Sequence, residues 1–262
     1  MLSFVWLALG GIVGGLLSGM LGIGGGIIVV PLLIYLLPLM DVPMALVVPM
    51  AVGTSLATIV VTTASSAFAH HKNGAIDWSW VRLIVPLLVV GGVLGGYIGA
   101  NIDPFVLQRI FATMLLILAA RMIWKVQPRA QHQRIRPTPV RICSALIGVV
   151  SALVGIGGGA LVVPMLHYYQ VIMRQAVAIA AVCSVVLALV GTLTYAWVGR
   201  AGVEVPGAVG FVYLPAWLGI GIFSVLMAPL GAKLAHRLPV RYLQRAFATL
   251  LIAVSCHLFI TT

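Results

Sequence analysis

Apolar residues run in long blocks along the chain. Glycine clusters and short polar stretches divide them into segments at about 2–21, 25–38, 43–69, 79–100 and 105–124, and again at about 141–155, 158–172, 175–198, 206–235 and 243–260. Several blocks exceed the roughly 20 apolar residues that a helix needs to cross hydrocarbon. The pattern predicts an all-α polytopic membrane protein. Pro38, Asp41 and Pro43 punctuate the first series, and Pro206, Pro215, Pro229 and Pro239 the second. Between them lies a basic stretch, Arg121 to Arg141, with Pro128, Pro137 and Pro139. Such a segment is expected to be extended and solvent-facing. The chain thus divides into a first transmembrane repeat at 1–124, a basic linker at 125–140 and a second repeat at 141–262, together one transmembrane unit.

The two series are copies. The phrase from Ser18 to Pro31 is answered without a gap by Ser151 to Pro164, each containing the pentapeptide GIGGG, at Gly22–Gly26 and Gly155–Gly159. Leu107-Gln-Arg-Ile-Phe-Ala-Thr returns as Leu243-Gln-Arg-Ala-Phe-Ala-Thr. Thr54-Ser55 aligns with Cys183-Ser184 if the loop after the second segment is about four residues shorter in the second half.

Composition removes the soluble alternatives. Hydrophobic residues are 62% of the chain, charged residues 7%, and the mean hydropathy is +1.19, far from the roughly 25% charged residues of a soluble domain. The net charge of +11 does not point to nucleic acid, because the basic residues cluster in short loops beside apolar spans. Their placement instead decides how the copies are oriented. If each GIGGG turns the chain round, every half has five segments and the halves are inverted. Lys72, Arg82, Arg121, Lys125, Arg129, Arg134, Arg136, Arg141, Arg174, Lys233, Arg237, Arg241 and Arg245 then share one face, with Arg109 and Arg200 opposite. If GIGGG only kinks a helix, that asymmetry almost vanishes. Basic loops concentrate in the cytoplasm, so the expected arrangement is two inverted repeats in the bacterial inner membrane, with a cytoplasmic linker and periplasmic termini. The first two segments of each half form a GIGGG-broken hairpin, and their brevity in the second half favours a re-entrant form. The N-terminus lacks the basic n-region of a cleaved signal peptide. Cys143, Cys183 and Cys256 are odd in number and lie in apolar runs, which indicates no disulfide framework.

A glycine-rich loop opening into a helix offers unpaired backbone N–H groups and the positive end of the helix dipole, a setting that attracts anions. Gly24, Gly25, Gly26, Gly157, Gly158 and Gly159 are the candidates. Close helix packing is the competing use of these glycines, as for the stripes Gly11, Gly15, Gly19 and Gly92, Gly96, Ala100. Those stripes also offer faces for a homodimer. Ser18 and Ser151 lie one turn before each break, and Thr54, Ser55, Cys183 and Ser184 lie inside long apolar segments. Their hydroxyls could donate to a substrate oxygen, or back-bond to helix carbonyls. Arg82 is either an interfacial anchor or a vestibule residue that attracts anions. His and Cys show no metal spacing, four carboxylates make no hydrolase dyad, and no nucleophile elbow is present. No enzyme, metal or cofactor is expected.

The paired GIGGG with its following Val-Val-Pro, Gly53-Thr54-Ser55 with its Cys183-Ser184 counterpart, and Asn73-Gly74-Ala75-Ile76-Asp77 together resemble the TauE/SafE family of sulfite exporters. The resemblance covers nearly the whole chain. It implies an inner-membrane permease for a small sulfur-containing anion such as sulfite, thiosulfate or an organosulfonate, with the glycine breaks, Thr54, Ser55 and Ser184 as the central site. A non-transporting membrane scaffold or assembly factor and an anion channel are the alternatives.

Overall fold

The computed structural model describes residues 2–21, 25–123, 137–235 and 240–260. Among them, ten α-helices follow the hydropathy blocks: α1 (Leu2–Leu21), α2 (Gly26–Leu36), α3 (Met44–Lys72), α4 (Trp78–Asn101), α5 (Pro104–Ile123), α6 (Pro137–Val154), α7 (Gly159–Tyr168), α8 (Met173–Val198), α9 (Leu214–Ala235) and α10 (Val240–Ile260). Of these, α3, α4, α6 and α8 are long and apolar enough to cross a membrane. Large apolar side chains such as Val93, Leu94 and Tyr97 on α4 and Leu189, Leu193 and Trp197 on α8 point outward, as a lipid-facing surface requires.

Two helices are half-length. With eleven and ten residues, α2 and α7 reach only about 15–17 Å, half of the roughly 30 Å hydrocarbon thickness. Each is entered through a left-handed glycine, Gly25 with φ 71° and Gly158 with φ 79°, a conformation that a β-carbon disfavours.

The copies keep register beyond the breaks. The residues preceding α3 and α8, Pro43 and Ile172, have nearly the same backbone angles, φ −55° and −56° with ψ 136° and 134°. Gly25 and Pro43 are eighteen residues apart, whereas Gly158 and Ile172 are fourteen apart. The four-residue difference expected from the sequence is accommodated around a 3-10 turn at Pro38–Met40. Ser55 and Ser184 are thereby each eleven residues into their helices, about 17 Å along the axis.

The main helix pairings cross between halves: α1 packs on α9, α4 on α6, α3 on α8 and α5 on α10. Their contacts reveal direction. Gly11 meets Ile220 and Gly15 meets Ser224, while Gly91 meets Ala145 and Gly95 meets Val149, so α1/α9 and α4/α6 run parallel. Gly53 meets Tyr195 while Gly191 meets Leu56, so α3 and α8 run antiparallel. Gln108 donates to the Leu258 carbonyl at 3.0 Å and Ser255 to the Ala112 carbonyl at 2.8 Å, which makes α5/α10 antiparallel as well. At Gly15 a β-carbon would lie 2.6 Å from the Ser224 carbonyl oxygen, so backbones touch there as in small-residue membrane packings.

Three expectations are corrected. The small-residue stripes do not form an outer dimer face: Gly11 and Gly15 abut α9, Gly92 and Gly96 abut α8, and Ala100 is buried. The helix after the linker starts at Pro137, so residues 137–140 are its first turn; proline fits there because no intrahelical N–H bond is lost. The apolar block at 206–235 is not all helix. Its first residues form a hairpin of β1 (Ala208–Val209) and β2 (Val212–Tyr213), with Gly207 at φ 81° and Gly210 at φ 56°. Linker residues 125–136 lie outside the described residues.

Candidate functional site

The two glycine breaks meet at the depth of Ser55. A β-carbon on Gly26, the first residue of α2, would lie 2.5 Å from the Gly155 carbonyl oxygen and 2.5 Å from Ile59 Cδ1. Ser55 closes this joint: its hydroxyl donates to the Gly155 carbonyl at 3.1 Å, with the Gly26 carbonyl at 3.5 Å. One turn on, Ile59 packs against Gly157, whose β-carbon would sit 2.7 Å from Ile59 Cγ2. The start of one half-helix is thus in backbone contact with the glycine loop of the other half.

At the second break α6 ends when the Gly155 and Ile156 N–H groups both donate to the Ser151 carbonyl, at 2.9 and 3.1 Å. Gly155, Gly157 and Gly158 all have positive φ, which turns the chain tightly enough to start α7 at once. The first turn of α7 closes with the Leu161 and Val162 N–H groups on the Gly158 carbonyl. At its very start the Gly159 N–H donates to the Gly157 carbonyl at 3.0 Å, which leaves the Ala160 N–H without an intrahelical acceptor. All five residues Gly155–Gly159 are buried.

Ser151 is the distinctive side chain here. Its hydroxyl is fully buried and has no hydrogen-bond partner, and it lies 4.0 Å from the β-carbon position of Gly158. Ser184 faces the next residue: a β-carbon on Gly159 would be 2.8 Å from its hydroxyl oxygen. A buried unpaired hydroxyl, a second hydroxyl and a helix start therefore converge. No acidic residue occupies the first turn of α2 or α7. All four carboxylates stand at helix ends or in loops: Asp77 caps α4 through the Ser79 N–H at 2.9 Å, Asp103 caps α5 through the Phe105 N–H at 2.9 Å, Asp41 follows the 3-10 turn and Glu204 is exposed. Nothing negative opposes an anion at the breaks.

The other sequence candidates lie elsewhere. Thr54 accepts the Tyr213 N–H at 2.9 Å and so serves the hairpin. Cys183 is buried in an apolar cluster with Val162, Leu166, Ile179 and Leu187. Arg82 is exposed in the second turn of α4, as an interfacial anchor would be. Asn73–Asp77 is capping chemistry: Gly74 with φ 61° lets the Gly74 and Ala75 N–H groups close onto the His71 and His70 carbonyls, a Schellman motif. Gly24 and the side chain of Ser18 lie outside the described residues. Ile59, Leu187 and Tyr213 adjoin this region and escaped sequence reasoning; only the spacing of Ile59, one helical turn after Ser55, signals it.

A family model described as Sulfite exporter TauE/SafE matches residues 7–258. The chain is 36% identical to a probable membrane transporter protein of Haemophilus influenzae, over 99% of this chain and 100% of that one. It is 28% identical to a probable membrane transporter protein of Methanocaldococcus jannaschii over 92% and 90% of the two chains, and 24% identical to the probable membrane transporter protein YunE of Bacillus subtilis over 98% and 97%. No solved structure matches the chain.

Proposed function

The chain belongs to the sulfite exporter TauE/SafE family, and from that footing we propose that it is an inner-membrane permease for a small anion: sulfite, thiosulfate or an organosulfonate. Transport proceeds by alternating access through a site between two inverted halves, the first ending with α5 and the second beginning with α6. The helix directions support inversion. Exchanging the halves turns the parallel pair α1/α9 into the parallel pair α6/α4, and leaves α3/α8 and α5/α10 as antiparallel self-pairs. An in-plane two-fold axis produces that pattern, whereas a duplication without inversion would run α3 and α8 in the same direction.

The observation that carries the reading is the unpartnered Ser151 hydroxyl beside Gly158. A buried hydroxyl without a partner costs about 1–3 kcal/mol, and an anion oxygen at the α7 start relieves that cost while taking the Ala160 N–H, which the helix leaves without an acceptor. Ser184 and the opposed start of α2 at Gly25 and Gly26 complete the shell. Neutral donors suit a carrier, because a fixed cation would hold the anion too tightly for release. An inside-negative potential drives an anion outward by roughly 2.3 kcal/mol per charge per 100 mV, so export needs no coupling ion.

The test is flux of radiolabelled sulfite and thiosulfate into proteoliposomes. Saturable uptake of at least one is expected. Empty-liposome rates for both and for a panel of organosulfonates would replace the permease with a scaffold.

A further inference from the structure

The α8–α9 connection is far longer than its counterpart between α3 and α4, and it folds into the protein instead of away from it. Phe211, Val212 and Tyr213 are all buried. The docking is made largely by backbone. A β-carbon on Gly53 would lie 2.6 Å from the Phe211 carbonyl oxygen, and one on Gly199 would lie 2.5 Å from the Phe211 nitrogen. The Phe211 N–H donates to the Tyr195 carbonyl at 3.3 Å and the two rings pack edge to face at 6.3 Å. The polar contact to the other half is the Tyr213 N–H on the Thr54 hydroxyl oxygen, at 2.9 Å.

We propose that the segment Val205–Tyr213 is a gate on one side of the anion site, and that Thr54 is its latch and a positioning residue, not a ligand of the transported anion. Three consecutive residues of α3 join the gate to the break. Gly53 and Thr54 touch the hairpin, and Ser55 donates to the Gly155 carbonyl. Beyond the gate the chain passes directly into α9, which packs on α1, so a swing of the hairpin is transmitted to both elements. The gate is one-sided because α3 and α8 are antiparallel: the hairpin that follows the end of α8 lies against Gly53 and Thr54 in the first half of α3, with no counterpart against α8 among the described residues. At the opposite face the α3–α4 connection is the five-residue turn Asn73–Asp77, closed on its own helix by the His70 and His71 carbonyls. No inserted N–H therefore needs an acceptor at the equivalent position on α8, and a thiol, Cys183, stands where α3 has a hydroxyl. The chemical inequality of the two half-sites follows from the gate.

The anion reading supplies what is gated, but the latch can be tested without any anion. Val212 is replaced by cysteine, and maleimide-polyethylene glycol labelling is followed in nanodiscs after subtraction of the background from Cys143 and Cys256 in the parent protein. V212C alone should react slowly. Adding Thr54→Val should speed labelling roughly five- to tenfold, the population change expected from losing one neutral hydrogen bond, and adding Thr54→Ser should restore the slow rate. Gly53→Ala, which lifts the hairpin with the hydroxyl intact, gives a second route should T54V fail to reconstitute. Thiosulfate binding to T54V should stay within about twofold of the parent. Equal labelling across V212C, T54V/V212C and G53A/V212C overturns the gate. Loss of thiosulfate binding in T54V with unchanged labelling makes Thr54 a ligand and overturns it too. An absence of wild-type flux would remove the permease reading and leave the labelling result standing.

Discussion

Ser55 donates to the Gly155 carbonyl at 3.1 Å, so Ser55→Ala strands a buried acceptor and should cost about 1–3 kcal/mol of stability, seen as a lower melting temperature in detergent. Ser151 has no partner to strand. Ser151→Ala removes an uncompensated buried hydroxyl, so it should hold or raise the melting temperature of the anion-free protein while depressing anion flux severalfold. Equal thermal losses in the two variants would make Ser151 structural and remove it from the site. The recurrence of hydroxyls at duplicated positions was legible in the sequence, but their separate roles were not. The acceptor of Ser55 is 100 residues away and the donor to Thr54 is 159 away, and hydropathy carries no record of which helix a side chain meets.

At the scale of elements, glycine decides how near helices come. On α4, Gly91 and Gly95 lie against the carbonyls of Ala145 and Val149 on α6, whereas Val93 on the same helix points outward with 44% exposure. Gly95→Val forces a branched side chain into a backbone contact and should cost about 3 kcal/mol. Val93→Ala should change stability by less than about 0.5 kcal/mol. Melting curves of the two in one detergent check the contrast, and similar losses would mean that α4 and α6 do not touch through this face. The helices themselves could be read from the chain because lipid demands a continuous apolar block wherever a helix crosses it. The hairpin could not be read in that way. Ala208–Tyr213 is as apolar as the helix after it, and it is a hairpin because Gly207 and Gly210 turn left-handed while α3 and α8 accept its backbone. The start of α6 was misplaced because Pro137 and Pro139 look like linker, yet a first helical turn tolerates both.

For the whole molecule, the pairwise directions place the charges. Because α3 opposes α8 and α4 runs with both α6 and α8, one face holds the end of α3 and the starts of α4, α6 and α8. Lys72, Arg82, Arg141 and Arg174 belong to that face, and Arg109 and Arg200, at the start of α5 and just after α8, to the other. Positive residues mark the cytoplasmic side, so the expected orientation puts the face carrying Lys72 in the cytoplasm and the hairpin in the periplasm. Asn73 and Gly202 are both exposed, one on each face. In intact cells an impermeant maleimide should label Gly202→Cys and spare Asn73→Cys until the membrane is permeabilised. The reverse result would keep the inverted fold and flip its orientation, putting the gate in the cytoplasm. Labelling of both from outside would place the two positions on one face, which antiparallel α3 and α8 cannot do, and would remove the inverted arrangement itself.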